Sequence, residues 1–134
     1  MHDSSLSYCG LAVAELKGYG GYSAAAIEAL AGLVEYWRLT LQQRAALVGA
    51  PEKTVSEWLD DPEHARLRKE HQQRILLLCG IYSDLHSFYG DVPAADEWPH
   101  RANQDFDGRT PLIRMLDGVD GLREVAAYTR TMAE

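Results

Sequence analysis

Apolar residues recur along this chain with the spacing of helices, and no alternation of period two lasts long enough to suggest a strand. From Ser23, a residue suited to a helix cap, Ile27, Leu30, Ala31, Val34 and Trp37 fall on one face. Thr40 is placed to cap a second helix, LQQRAALV, which Gly49 ends. Pro51 opens a third, PEKTVSEWL, which stops at Asp60-Asp61-Pro62. A fourth and longer helix is predicted from about Glu63 to Gly90, with Gly80 as a place for a kink. Its buried stripe reads Leu67, Ile75, Leu78, Tyr82, Leu85 and Tyr89. Pro93, Trp98 and Pro99 mark an extended connection, with Trp98 the tryptophan expected to be exposed. Two helices then follow, a short one from Pro111 and a last one, GLREVAAYTRTMAE. The expected fold class is all-α. Residues 1–23, interrupted by Gly10, Gly18, Gly20 and Gly21, read as a partly ordered arm.

The second and third helices fit a helix-turn-helix template counted from Leu41. It asks for a small residue at the fifth place, Gly at the ninth, and apolar residues at the fifteenth and eighteenth. The chain supplies Ala45, Gly49, Val55 and Trp58. Ala45 lets the helices approach, Gly49 permits the sharp turn, and Val55 and Trp58 pin the third helix to the core. The face that would meet a major groove carries Glu52, Lys53, Ser56 and Glu57, with Thr54 towards the backbone. Lys53, Thr54 and Ser56 suit groove or phosphate contacts, whereas the two glutamates oppose the phosphate field. Arg66, Arg68 and Lys69, just after the motif, offset them. The candidate DNA contacts are Lys53, Thr54, Ser56, Glu57, Arg66, Arg68 and Lys69. A motif kept only as a folding unit is the alternative.

The last third, WPHRANQDFDGRTPLIRMLDGVDGLREVAAYTRTMAE, carries a second constellation. Gly108 follows an Asp where the chain can turn with positive φ. Thr110 is an N-cap before Pro111 at the first helical position, where no backbone N–H is missed. Leu112, Ile113, Leu116, Val119 and Leu122 space like the buried stripe of a broken helix. On the final helix, Leu122, Val125 and Ala126 form an apolar docking face. Arg123, Tyr128, Arg130, Met132 and Glu134 are left to project towards a partner, and Tyr, Arg and Met are types enriched at interfaces.

In this order, the two constellations resemble the Xre/MbcA/ParS-type antitoxins of bacterial toxin–antitoxin pairs. In that family an Xre-like helix-turn-helix precedes a toxin-binding domain. There a Pro-Asn element leads into a Phe/Leu-x-Gly-x-Ser/Thr-Pro-Leu box, then a Gly and a final helix. The matching residues are Asn103, Phe106, Gly108, Arg109, Thr110, Pro111, Leu112, Gly118, Gly121 and Leu122. One departure is visible: His100-Arg101-Ala102-Asn103 replaces the Pro-Asn pair, with Pro99 further upstream. The resemblance implies an arm over 1–23, an Xre-like helix-turn-helix region over 24–80 and a toxin-binding domain over 81–134. It implies a toxin partner of the RES-domain type, which consumes NAD or transfers from it. It implies inhibition by occlusion of that toxin's active site, with Asn103, Phe106, Gly108 and Arg109 in the contact. It further implies a homodimer and repression of the chain's own operon, with operator DNA bound by the toxin–antitoxin complex. A stand-alone helix-turn-helix regulator, whose C-terminal region only dimerises, is the competing class. An adaptor that has lost DNA binding is a third.

Composition narrows the field further. The 134 residues suit one domain, or two small helical subdomains sharing one core. The net charge of −7 is uneven. Residues 81–134 hold five basic and ten acidic side chains, a net of −5, which suits a basic protein partner better than a phosphate backbone. No apolar run approaches the roughly 18 residues of a membrane span, and no export signal is evident, so a cytoplasmic location is expected. Cys9 and Cys79 lack metal-type spacing and read as reduced thiols, with Cys79 in the core. The five histidines show neither HExxH nor a Cys/His pairing, and His64 and His71 read as solvated side chains. Asp60-Asp61 and Asp96-Glu97 suit caps and loops better than acid/base pairs. No catalytic group, metal site or cofactor is expected.

Overall fold

A computed structural model describes residues 23–134, which form seven α-helices. These are α1 (Ser23–Tyr36), α2 (Leu41–Val48), α3 (Glu52–Asp60), α4 (Lys69–Tyr89), α5 (Val92–Glu97), α6 (Pro111–Met115) and α7 (Val119–Ala133). Single 3-10 turns lie at Pro62–His64, Trp98–His100 and Gln104–Phe106. The arm expected over 1–23 lies outside the described residues except for Ser23. Among the described residues there is no strand, only an isolated bridge between Asn103 and Arg109.

The local signals around α2 are obeyed in full. The Thr40 hydroxyl accepts from the Gln43 N–H at 3.1 Å, and the Gln43 side chain accepts from the Thr40 N–H at 2.9 Å. This capping box satisfies two donors that the first turn would otherwise leave orphaned. Gly49 ends the helix at φ 81°, a conformation that costs a Cβ-bearing residue.

A single apolar core joins α1, α4 and α7, and the most extensive packing is α4 against α7. Ile27, Leu30, Trp37, Ile75, Leu78, Leu85, Leu122 and Val125 are fully buried in it. The expected boundary between residues 80 and 81 falls inside α4, as it did inside the predicted helix, so the two halves share this helix. Gly80 is a helical position with open space around it, and the helix runs through it unbroken.

Four expectations change in three dimensions. Ala31 is exposed and Leu33 is buried in its place, because α1 also packs on the Pro62–His64 turn, which rotates its inner face. The fourth helix starts at Lys69, not near Glu63. Pro62 begins a 3-10 turn, after which Ala65 (ψ 138°) and Arg68 (ψ 164°) are extended. Burying Ala65 in the core overrides the helical propensity of this stretch. Trp98 is buried, within a cluster of aromatic rings. Ile113 is 43% exposed, and Met115 takes the inward position on α6. Pro111 and Thr110 set α6 in the register that turns Ile113 outward.

The connection after α4 is tied down by polar contacts. His86 lies 3.1 Å from Asp96, and the His100 ring donates to the Trp37 carbonyl at 2.7 Å. Arg38 pairs with Glu97 at 3.1 Å. Asp96 is therefore part of a buried pair and not a solvated loop acid.

Candidate functional site

Two surfaces carry the candidate residues. The first is built on α2 and α3. The Gly49 and Ala50 N–H groups both donate to the Ala45 carbonyl, which closes the turn between the helices. Val55 and Trp58 are buried, so the opposite face of α3 is fixed outward. Lys53 and Glu57 are exposed there, and Thr54 and Ser56 are half-buried. Arg66, Arg68 and Lys69 are exposed on the segment that leads into α4. Glu57 and Arg66 line one cleft, together with Trp58, Asp60, Asp61 and His64. The acidic and basic candidates are thereby brought side by side. α3 itself offers one cation, Lys53, against Glu52, Glu57 and Asp60, so positive charge for phosphates comes from the neighbouring segment.

Two supporting residues escaped the sequence reading. Arg74 of α4 reaches the Ala46 carbonyl at 3.4 Å and lies against Gly49, where a Cβ would come within 3.0 Å of its guanidinium carbon. His71 is half-buried, not solvated, with its ring edge-on to Trp58 at a centroid distance of 5.0 Å. Burial lowers its pKa below the ordinary imidazole value, and the Glu70 carboxylate opposes that shift. His64 is solvated as expected and lies 2.8 Å from Asp61. The helical period alone could not find these contacts, since both depend on α4 crossing the turn.

The second surface is the C-terminal box. Asn103 caps the Gln104–Phe106 turn by accepting from the Asp105 N–H at 2.9 Å. Its own N–H donates to the Arg109 carbonyl at 3.0 Å, and its carbonyl accepts from Gly108. Asp107 and Gly108 both take positive φ, 59° and 78°, so the loop reverses tightly. The Thr110 hydroxyl then accepts from the Ile113 N–H at 3.1 Å, and Pro111 occupies the first turn of α6. Gly121 is required for a different reason. A Cβ there would overlap the Arg114 carbonyl oxygen, so α7 can cross α6 this closely only with glycine.

Three of the candidate contact residues turn inward. Phe106 is only 6% exposed, and its ring meets Trp98 and Tyr128 at centroid distances of 6.3 and 5.1 Å. Tyr128 stacks on Trp98 at 5.9 Å and donates to Asp105 at 2.6 Å. That bond, aided by burial, holds the phenol above its usual pKa. Met132 is half-buried against the core. Tyr128 and Met132 do not project freely from the final helix as the sequence pattern suggested, because that helix packs on both α4 and α6.

Gly108, Arg109, Arg123 and Glu134 remain exposed, and Asn103 is half-buried at the turn. Arg130 is exposed but engaged: its guanidinium lies 3.1 Å from Asp84, a carboxylate 9% exposed. The same carboxylate accepts from the buried Thr129 hydroxyl at 3.5 Å. Around the box, Arg114 pairs with Glu124 at 2.7 Å and with Asp117 at 3.1 Å. Glu124 first, then Asp117, raise the Arg114 pKa. Arg109 lies 3.6 Å from Asp117. With Asp105 and Asp107 these groups line a polar cleft whose charge is mainly negative. Among the described residues no group of three or more His, Cys, Asp or Glu side chains could hold a metal ion.

A helical fold with this turn geometry defines a helix-turn-helix protein. More particularly, residues 23–80 match the family model of the antitoxin Xre-like helix-turn-helix domain. That match covers the helix-turn-helix region and not the C-terminal box. The chain is also similar to an uncharacterized protein, y4oB, of Sinorhizobium fredii. Identity is 28% over 95 residues, covering 70% of this chain and 72% of that protein. No helix among the described residues is long and apolar enough to cross a membrane.

Proposed function

We propose that this protein is a cytoplasmic antitoxin that binds a RES-domain toxin through its C-terminal region, occludes the toxin's NAD site and represses its own operon. The observation that carries the reading is the rigid box beside the Xre-like domain. Asn103, Thr110, Pro111 and Gly121 each have a defined structural task there, and the loop they shape presents Gly108 and Arg109 to solvent. Phe106, Tyr128 and Met132 act as the supporting floor. Arg123 and Glu134 are exposed and placed to reach a partner, Arg109 is exposed beside Asp117, and Arg130 is held by Asp84. The acidic balance of residues 81–134 suits a cleft whose cationic groups bind the phosphates of NAD. Self-association as a dimer would place two helix-turn-helix modules on one operator, which a single module with few contacts needs.

Co-expression with the toxin encoded beside it tests this. The chain should restore growth and co-purify with the toxin at moderate salt. Arg109→Glu with Arg123→Glu should abolish rescue while leaving the thermal melt unchanged, since both side chains are exposed. A neighbour that is not toxic, or a charge-reversed variant that still rescues fully, overturns the reading.

A further inference from the structure

The His71 ring sits where three separate segments meet. It occupies the third position of α4, and its Nδ1 accepts from the Arg68 N–H at 3.2 Å, so it caps its own helix. A nitrogen that accepts carries no proton, so the proton of the neutral ring sits on the other nitrogen, and the Gly49 backbone in the helix-turn-helix turn favours the charged ring. The ring edge meets Trp58 of α3 at 5.0 Å. One neutral imidazole thus joins the turn, the outward-facing helix and the basic segment before α4.

We propose that His71 is a proton-sensitive latch on the helix-turn-helix, closed when the ring is neutral and opened when Nδ1 takes a proton. A protonated Nδ1 presents N–H to the N–H of Arg68, which removes an acceptor and sets two donors against each other. The new charge also faces Arg68 and Arg74, whereas Glu70 and the Gly49 backbone favour it. On the α3 side the ring meets the uncharged Trp58. The acids Glu57, Asp60 and Asp61 share a cleft with that tryptophan, and Asp61 is already paired with His64. At the turn the Arg74 guanidinium lies against Gly49. Opening releases Arg68, and with it the neighbouring Arg66, from the first turn of α4, while Ala65 stays in the core. Orientation of those two cations against α3 is then lost, so the latch ties the basic surface to pH whether or not the toxin assignment above is right.

The sign follows from the lowered pKa. Above 6.5 the ring is neutral in folded and unfolded chains alike, and the latch contributes its whole stability. Below 6.5 the unfolded ring takes a proton that the folded ring resists, so stability falls with pH until the folded pKa is reached. The local opening equilibrium should rise by no more than about tenfold per pH unit, the slope of a single proton.

The test combines two measurements on the full chain. Imidazole nitrogen NMR at pH 7.5 should show Nδ1 unprotonated and Nε2 protonated, with a His71 midpoint below 6.5. Amide hydrogen exchange, corrected for intrinsic rates, should then show protection of residues 65–71 falling between pH 7 and pH 5. In His71→Asn, whose side-chain oxygen can still accept from Arg68 but cannot titrate, that fall should vanish. Every other group is common to both proteins, so its contribution cancels in the comparison. A protonated Nδ1 at pH 7.5, a midpoint at or above 6.5, or an equal fall in His71→Asn would each overturn the proposal. Because the NMR arm uses only the unsubstituted protein, it decides the matter even if the variant fails to fold.

Discussion

Removal of Thr129–Glu134 probes how far the last turn of α7 belongs to the core. On sequence grounds this tail could be cut without unfolding the chain. The structure gives it two tasks. Thr129 and Arg130 are the hydrogen-bond donors that reach the Asp84 carboxylate, and Met132 packs on the core. Losing a partner of a buried charge costs about 3–5 kcal/mol when both members are buried. Here the Arg130 side chain is 69% exposed, so its own share is closer to the ~0–1 kcal/mol of a screened surface pair. Asp84 is only 9% exposed, and a buried acceptor left without donors costs about 1–3 kcal/mol. Half-burial of Met132 adds about 1 kcal/mol. The total is about 2–5 kcal/mol, or a fall in Tm of roughly 10 °C for a chain of this size. Circular-dichroism melts of the full and truncated chains measure it. Asp84→Asn in the truncated chain should recover about half of the loss, since a neutral amide is cheaper to leave buried than a carboxylate. The same change in the full chain should destabilise, and a double-mutant cycle therefore shows a coupling of about 1 kcal/mol or more. A truncated chain that melts within about 1 °C of the full one, or strictly additive effects, would refute the argument.

Two other expectations concern the two surfaces. Gly121→Ala places a Cβ against the Arg114 carbonyl, and should cost about 2–3 kcal/mol in chemical denaturation and lower toxin rescue in proportion; a neutral result would show that α6 and α7 slide apart freely. On duplex DNA carrying the operon's promoter, Lys53→Ala and Arg68→Ala should each weaken binding, and affinity should fall steeply with salt. Glu57→Gln should bind equally well or better, and a loss there would instead assign Glu57 to a base contact.

Much of the fold is legible in the residues because its signals are local. The Thr40–Gln43 box, the left-handed Gly49 and the Thr110-Pro111 start of α6 each depend on atoms within four residues, and each forms where the sequence places it. The helix-turn-helix positions Ala45, Gly49, Val55 and Trp58 were readable for the same reason, being spaced by one helical geometry. What the sequence left open is set by partners far along the chain. Ala65 is drawn into the core, and α4 therefore begins at Lys69. Tyr128 and Phe106 look like an exposed interface pair until Trp98, brought in by the turn after α5, covers them. Asp84 and Arg130 lie 46 residues apart, and nothing in either neighbourhood announces the pair. A helical period shows which residues share a face but not which neighbour that face will meet. That choice belongs to the packing of α4 against α7 and of α4 across the Gly49 turn, where burial and charge pairing are settled together.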